Sequence, residues 1–194
     1  MGITPDRAPC SRGGRPLSET SASSITQESK VTGTGQTARP YAASMCSDIE
    51  AIKALKYRYA RSLDLKKWDE FADCLTPDVT AEYGEDLSFA DRDALVGYMR
   101  DNMGPGLISM HQVHHPEIVV DGDTATGTWY LFDKVLVPAF DFGLEGGAFY
   151  DDTYVRTDAG WRISRTGYRR TFEAAWKLSD PASYEVKTGT AYDA

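Results

Sequence analysis

The chemistry in this chain starts at His111, because an imidazole both takes up and returns a proton near neutral pH. It stands in the run Ser109-Met110-His111-Gln112-Val113-His114-His115. Strand alternation there puts His111, Val113 and His115 on one face and Met110, Gln112 and His114 on the other. His111 and His115 would share that face without an acidic residue at ligand spacing, so a metal site is not expected. A lone strand histidine is also a common structural residue, and the choice depends on what carboxylate it meets.

Asp64 is the first carboxylate candidate, in Tyr59-Ala60-Arg61-Ser62-Leu63-Asp64-Leu65-Lys66-Lys67-Trp68-Asp69. It could orient His111, or it could cap a helix beginning near Lys67. Asp133 is the second. Alternation places it with Trp129, Leu131, Val135 and Val137, and a carboxylate on so apolar a face needs a partner or a task. The same alternation puts Arg165 and Arg169 on the face of Trp161 and Ile163, where either could pair with Asp133 or hold an anionic group. Tyr59 lies in a helical apolar stripe but carries a phenol able to polarise a substrate oxygen, with Tyr57 as its substitute. His111, Asp64 and Tyr59 are the candidates for catalysis. Tyr83, Asp133, Trp129 and Arg169 are the candidates for contact with a substrate.

These residues need elements to hold them. Ser47 and Glu50 form a capping box ahead of Ile52, Leu55, Tyr59 and Leu63, which predicts a helix of about four turns. A shorter helix follows with Trp68, Phe71, Ala72 and Leu75 inward, ended by Thr76-Pro77-Asp78. Residues 79–83 read as a strand, and 91–102 as a third helix terminated by Gly104-Pro105-Gly106. Strands are then expected over 108–115 and 117–120, a tight turn at Asp121-Gly122, and a long strand over 124–137. A Gly-rich aromatic loop leads to a hairpin of 149–156 and 161–168 turned at 157–160. Helices first and an antiparallel sheet afterwards make an α+β order.

Composition bounds the rest. The 194 residues are 41% hydrophobic and 11% aromatic, which suits one domain. Residues 1–44 are rich in Ser, Thr, Gly and Pro without apolar period, so 1–45 is expected to be a disordered extension, 46–175 the domain and 176–194 a C-terminal tail. The first 44 residues carry net +2 against −8 for the whole chain, leaving −10 for the remainder. So acidic a domain repels phosphate backbones, and nucleic acid is not an expected partner. No run approaches the ~18 apolar residues of a membrane span, so no membrane partner and a cytoplasmic location are expected. Cys10, Cys46 and Cys74 are an odd set without metal spacing and read as free thiols, Cys74 as a packing residue.

Taken in order, Tyr59 to Asp64, Lys67-Trp68-Asp69, Thr76-Pro77-Asp78-Val79, His111 five residues before Pro116, Val119 to Ala125 and Gly160-Trp161-Arg162-Ile163 resemble the SnoaL-like branch of the nuclear transport factor 2-like superfamily. The resemblance covers roughly residues 47–170. It implies a cone in which three N-terminal helices close over a strongly curved antiparallel or mixed sheet, leaving a deep, largely apolar pocket. It also implies a family likeness to scytalone dehydratase, bile acid 7α-dehydratase and hexachlorocyclohexane dehydrochlorinase, which are cofactor-free lyases. In these a histidine on the strand after the third helix moves the proton and an aspartate at the end of the first helix orients it. His111 and Asp64 fall at those places. Tyr59 and Asp133 match a tyrosine and an aspartate of the bile acid enzyme, and Tyr83 matches a first-strand tyrosine of scytalone dehydratase. Leu63 stands where scytalone dehydratase has tyrosine, and no histidine follows His115, which sets this chain apart from that substrate.

The function expected from the resemblance is a cofactor-independent dehydratase acting on a cyclic, largely apolar hydroxy-carbonyl compound such as a steroid or polyketide. Isomerase, cyclase, hydrolase and a non-catalytic binding module are the alternatives. Relatives that pair through the sheet's outer face imply a homodimer, or a homotrimer, with Tyr130, Phe132 and Leu136 at the contact.

Overall fold

The structure, a computed structural model, describes residues 41–84 and 86–190. The extension expected over 1–45 falls almost wholly outside the described residues, as does Cys10. Helix α1 spans Tyr41–Asp64, so it starts well before the Ser47 capping box that the sequence offers as its beginning. Ser47 is therefore inside the helix and caps nothing. Ala42, Ala43 and Met45 are good helix formers that let the turn propagate backwards. Ile52, Leu55, Tyr59 and Leu63 form the buried stripe, as the spacing predicts.

Helix α2 covers only Trp68–Ala72. Strand β1 already begins at Leu75 and runs to Tyr83, so Thr76-Pro77-Asp78 lies in an irregular strand start and not in a helix stop. A short strand β2, Leu87–Phe89, pairs antiparallel with β1 and carried no sequence signal. Helix α3 is Arg92–Asn102, with Asp91 as its N-cap accepting from the Ala94 N–H at 2.8 Å.

Strand β3 runs through Ile108–Asp121 with a bulge between His114 and Glu117, and β4 spans Thr124–Val137 as predicted. The turn between them places Gly122 at φ 59, which a glycine adopts without strain. His115, at φ 46, sits in the bulge, and its ring packs on Tyr130, an outward-facing residue. It therefore does not share the face of His111 as unbroken alternation would require.

The expected Gly-rich loop is largely strand. After a single 3₁₀ turn at Pro138–Phe140, β5 runs from Phe142 to Thr157. Strand β6 spans Gly160–Lys177, and β7, Asp180–Thr188, pairs with it inside the segment expected to be a tail. The sheet order is β2-β1-β6-β5-β4-β3, with β7 alongside the far half of β6. Only β1 and β6 are parallel, so the sheet is mixed. Helices packed on its concave side give an α+β fold with the core between the two layers: α1 and α3 bring Ile52, Tyr59, Leu95 and Met99 against Val79, Trp129, Tyr154 and Ile163. Cys46 and Cys74 are free thiols, and Cys74 is fully buried. No helix among the described residues is long and apolar enough to cross a membrane.

Candidate active site

Asp64 is the last residue of α1, and its carboxylate leaves the helix toward β3. It does not cap α2, whose N-cap residue Lys67 makes no side-chain cap bond. Instead Asp64 Oδ1 lies 2.6 Å from His111 Nδ1 and accepts the Ser109 hydroxyl at 2.8 Å, while Oδ2 accepts the His111 backbone N–H at 2.8 Å. Ser109 and His111 are two apart on β3 and so present the same face to the helix end. Both side chains of the dyad are mostly buried, with 14% and 19% exposure for His111 and Asp64. Burial pushes the Asp64 carboxyl up, but the hydrogen bonds and charge of His111, with the Ser109 hydroxyl, outweigh it and hold Asp64 below its ordinary range.

With Nδ1 engaged by a carboxylate, that nitrogen carries the proton and Nε2 is the one left to accept from a substrate. His111 lines a cavity of about 300 Å³ between the helices and the sheet. Helix α1 supplies Tyr59 and Leu63, α3 supplies Tyr98, Met99 and Asn102, and β5 and β6 supply Leu144, Tyr150, Tyr168 and Arg170. Tyr59 and Tyr83 also face it, their hydroxyls 2.6 Å apart. Burial pushes both phenols well above their ordinary range, so they remain donors. Tyr57 is 46% exposed and lies on the other flank of the dyad, outside the cavity, so it is no substitute for Tyr59.

Asp133 is brought to the same cavity as the direct cross-strand partner of His111. Its partner, however, is Arg170 and not Arg165 or Arg169. Arg170 makes a two-pronged pair with Asp133, the Nη2–Oδ2 contact at 2.7 Å, and its guanidinium lies 5.0 Å from the Tyr168 ring. Burial opposes the Arg170 charge, but Asp133 outweighs it and keeps the guanidinium protonated. Arg169 points away, 56% exposed and 4.0 Å from Asp151, so its expected place as a substrate contact is wrong. The cause is a bulge in β6: Tyr154 pairs with Ile163 but Thr153 pairs with Arg165, so Ser164 is an extra residue. A one-residue slip exchanges the faces of everything beyond it. Trp129 is also not a substrate contact. It is fully buried in the core, where its Nε1–H donates to Tyr154 Oη at 2.9 Å.

Sequence reasoning missed Lys56 and Asp152 altogether. Both side chains are fully buried, with Lys56 Nζ 2.7 Å from Asp152 Oδ2 and 3.6 Å from the centre of the Tyr150 ring. The ammonium lies off the direction of a regular hydrogen bond, so charge and ring face hold it. Burial pulls the Lys56 amine down, and Asp152 opposes this. Asp152 further accepts the Tyr154 and Thr166 hydroxyls, both at 2.7 Å. The pair fastens α1 to the sheet behind the tyrosines. Its one sequence signal was Lys56 lying three residues before Tyr59, on the helix face that is otherwise apolar.

The model of the SnoaL-like domain family matches residues 44–167. Uncharacterised proteins of Mycobacterium tuberculosis and Mycobacterium bovis are 29% identical over 130 residues, covering 66% of this chain and 88% of theirs. Among solved structures, a putative scytalone dehydratase from Novosphingobium aromaticivorans superposes with a TM-score of 0.65 at 19% identity, covering 76% of this chain and 94% of that one. A type 2 hexachlorocyclohexane dehydrochlorinase gives 0.64 at 13% identity, covering 70% and 93%. A protein from M. tuberculosis described as of unknown function gives 0.60 at 25% identity, covering 74% and 80%. At these identities the dehydratase and the dehydrochlorinase show the shared fold.

Proposed function

The chain belongs to the SnoaL-like domain family, and from that premise we propose that it is a cofactor-independent lyase, a dehydratase of a cyclic, largely apolar hydroxy-carbonyl compound. The observation that carries this reading is the 2.6 Å contact of His111 Nδ1 with Asp64 at the wall of a tyrosine-lined cavity. The names of two structural neighbours, a putative dehydratase and a dehydrochlorinase, agree with elimination chemistry but belong to those proteins.

In this reading His111 Nε2 takes a proton from the carbon beside the substrate carbonyl, and the C–H electron pair moves toward the carbonyl oxygen. Asp64 stabilises the imidazolium so formed and keeps Nδ1 as the protonated nitrogen. The Tyr59–Tyr83 hydroxyl pair donates to the developing enolate oxygen. One phenol must donate to the other, which leaves a single O–H for the substrate and strengthens it. As the enolate collapses, a carbon–carbon double bond forms, the C–O bond to the β-hydroxyl breaks, and His111 returns its proton to the departing oxygen. Water and an unsaturated ketone are the products, and the enzyme is back in its starting state. Leu63, Met99, Val135 and Leu144 exclude solvent around the reacting carbon.

A panel of cyclic β-hydroxyketones, followed by the ultraviolet absorbance of the enone, tests this directly. Turnover by the wild-type chain that disappears in His111→Ala is the expected result. Binding of panel members without absorbance change or loss of the α-proton to deuterated solvent would make the chain a binding module instead.

A further inference from the structure

Helix α1 ends in a way that costs the chain something locally. The Lys67 N–H donates to the Ser62 carbonyl at 2.8 Å and the Lys66 N–H to the Leu63 carbonyl at 3.1 Å. This is the Schellman pattern, in which the residue at the place of Lys66 is left-handed and is usually glycine. Lys66 is indeed left-handed, at φ 58, but carries a full side chain. That side chain does not trail into solvent. Its ammonium donates to Ser109 Oγ at 2.9 Å, and Ser109 Oγ donates to Asp64 Oδ1 at 2.8 Å.

The direction of this relay follows from the groups themselves. Lysine has donors and no acceptor, so Ser109 must accept from it, and the single hydroxyl hydrogen of Ser109 is then free for Asp64. Oδ1 thus receives two donors, Ser109 and His111, and Oδ2 receives the His111 backbone N–H. With both oxygens held, the carboxylate cannot turn about its last bond away from the imidazole. We propose that Lys66 and Ser109 are positioning residues that lock the Asp64 carboxylate against His111, and that the left-handed lysine at the end of α1 is retained for this purpose. The inference rests on His111 and Asp64 being the reactive pair, but its test reads their hydrogen bond and not turnover.

The proton shared by His111 Nδ1 and Asp64 should give a low-field proton NMR signal in the full chain, assigned by its loss in His111→Gln. In Ser109→Ala and in Lys66→Gly the signal should disappear or broaden through faster exchange with water, and the two changes together should do no more than either alone. Lys66→Arg, which keeps a donor, should retain it. Lys66→Gly should melt no lower than wild type, because glycine relieves the left-handed strain. If Lys66→Gly leaves the signal intact, whatever its melting temperature, Lys66 is only a helix terminator and the proposal fails. An unchanged signal in Ser109→Ala overturns it equally. A sharp signal in wild type that responds as expected, in a chain whose His111→Ala variant still turns over substrate, would uphold the relay while refuting the catalytic reading.

Discussion

Asp64 decides between a structural and a chemical histidine, and its environment has a measurable acid signature. Its carboxyl is held below the ordinary value of 3.8 in the folded chain. A group whose folded value is depressed adds stability above its unfolded value, and that stability is lost as pH falls through the folded one. Relative to Asp64→Asn, the advantage that the wild-type chain draws from this carboxylate should therefore shrink as pH falls below about 4. Urea unfolding of both forms at stepped pH checks this, and a difference that stays flat to about pH 3 contradicts it. The sequence offered both members of the dyad, a strand imidazole and a carboxylate at the end of the first helix, but the family resemblance joined them, because the helix end alone suited Asp64 to capping as well. It could not show Ser109 or Lys66, since a serine in a strand and a lysine after a helix have many ordinary uses.

At the scale of elements, the sequence was legible wherever its period ran unbroken and failed wherever a strand slipped. The long strand β4 was read to the residue, and with it the buried place of Asp133. Strand β6 contains a bulge that no residue type announces, so Arg169 was expected where Arg170 stands. The glycines of β5 misled for a related reason. A Cβ on Gly146 would lie 2.6 Å from Arg170 Nη1, so that glycine is the gap through which the guanidinium crosses β5 to reach Asp133 on β4. What looks in sequence like turn glycine is a passage in the sheet. The faces of β6 are testable by stability. Arg170→Met leaves the Asp133 carboxylate, 4% exposed, without its partner and should cost about 3–5 kcal/mol. Arg169→Met, on the outer face, should stay within about 0.5 kcal/mol of wild type. Equal losses in urea unfolding would mean that the face assignment is wrong.

For the whole molecule, the division of labour lies between a helical layer that brings a carboxylate and a phenol and a sheet that brings an imidazole, a second phenol and an ion pair. The Lys56–Asp152 pair behind Tyr150 and the Arg170–Asp133 pair beside His111 tie these layers and strands together by charged contacts that apolar packing alone does not supply. The α+β order was legible from the run of helical and strand periods and the cavity from the family resemblance, whereas the added strand β7 was not, because 180–188 is polar and pairs along one edge only. In the proposed reading, function depends on the joint between the layers, where Asp64 of α1 meets His111 of β3. If they act as one base, His111→Ala should abolish turnover, Asp64→Asn should cost somewhat less because its amide keeps a hydrogen bond but not the charge, and the double variant should be no slower than His111→Ala alone. The initial rate of enone formation for these four proteins on one panel substrate is the deciding measurement: a double variant no worse than the worst single is the predicted result, and a rate loss equal to the product of the two single losses would contradict it.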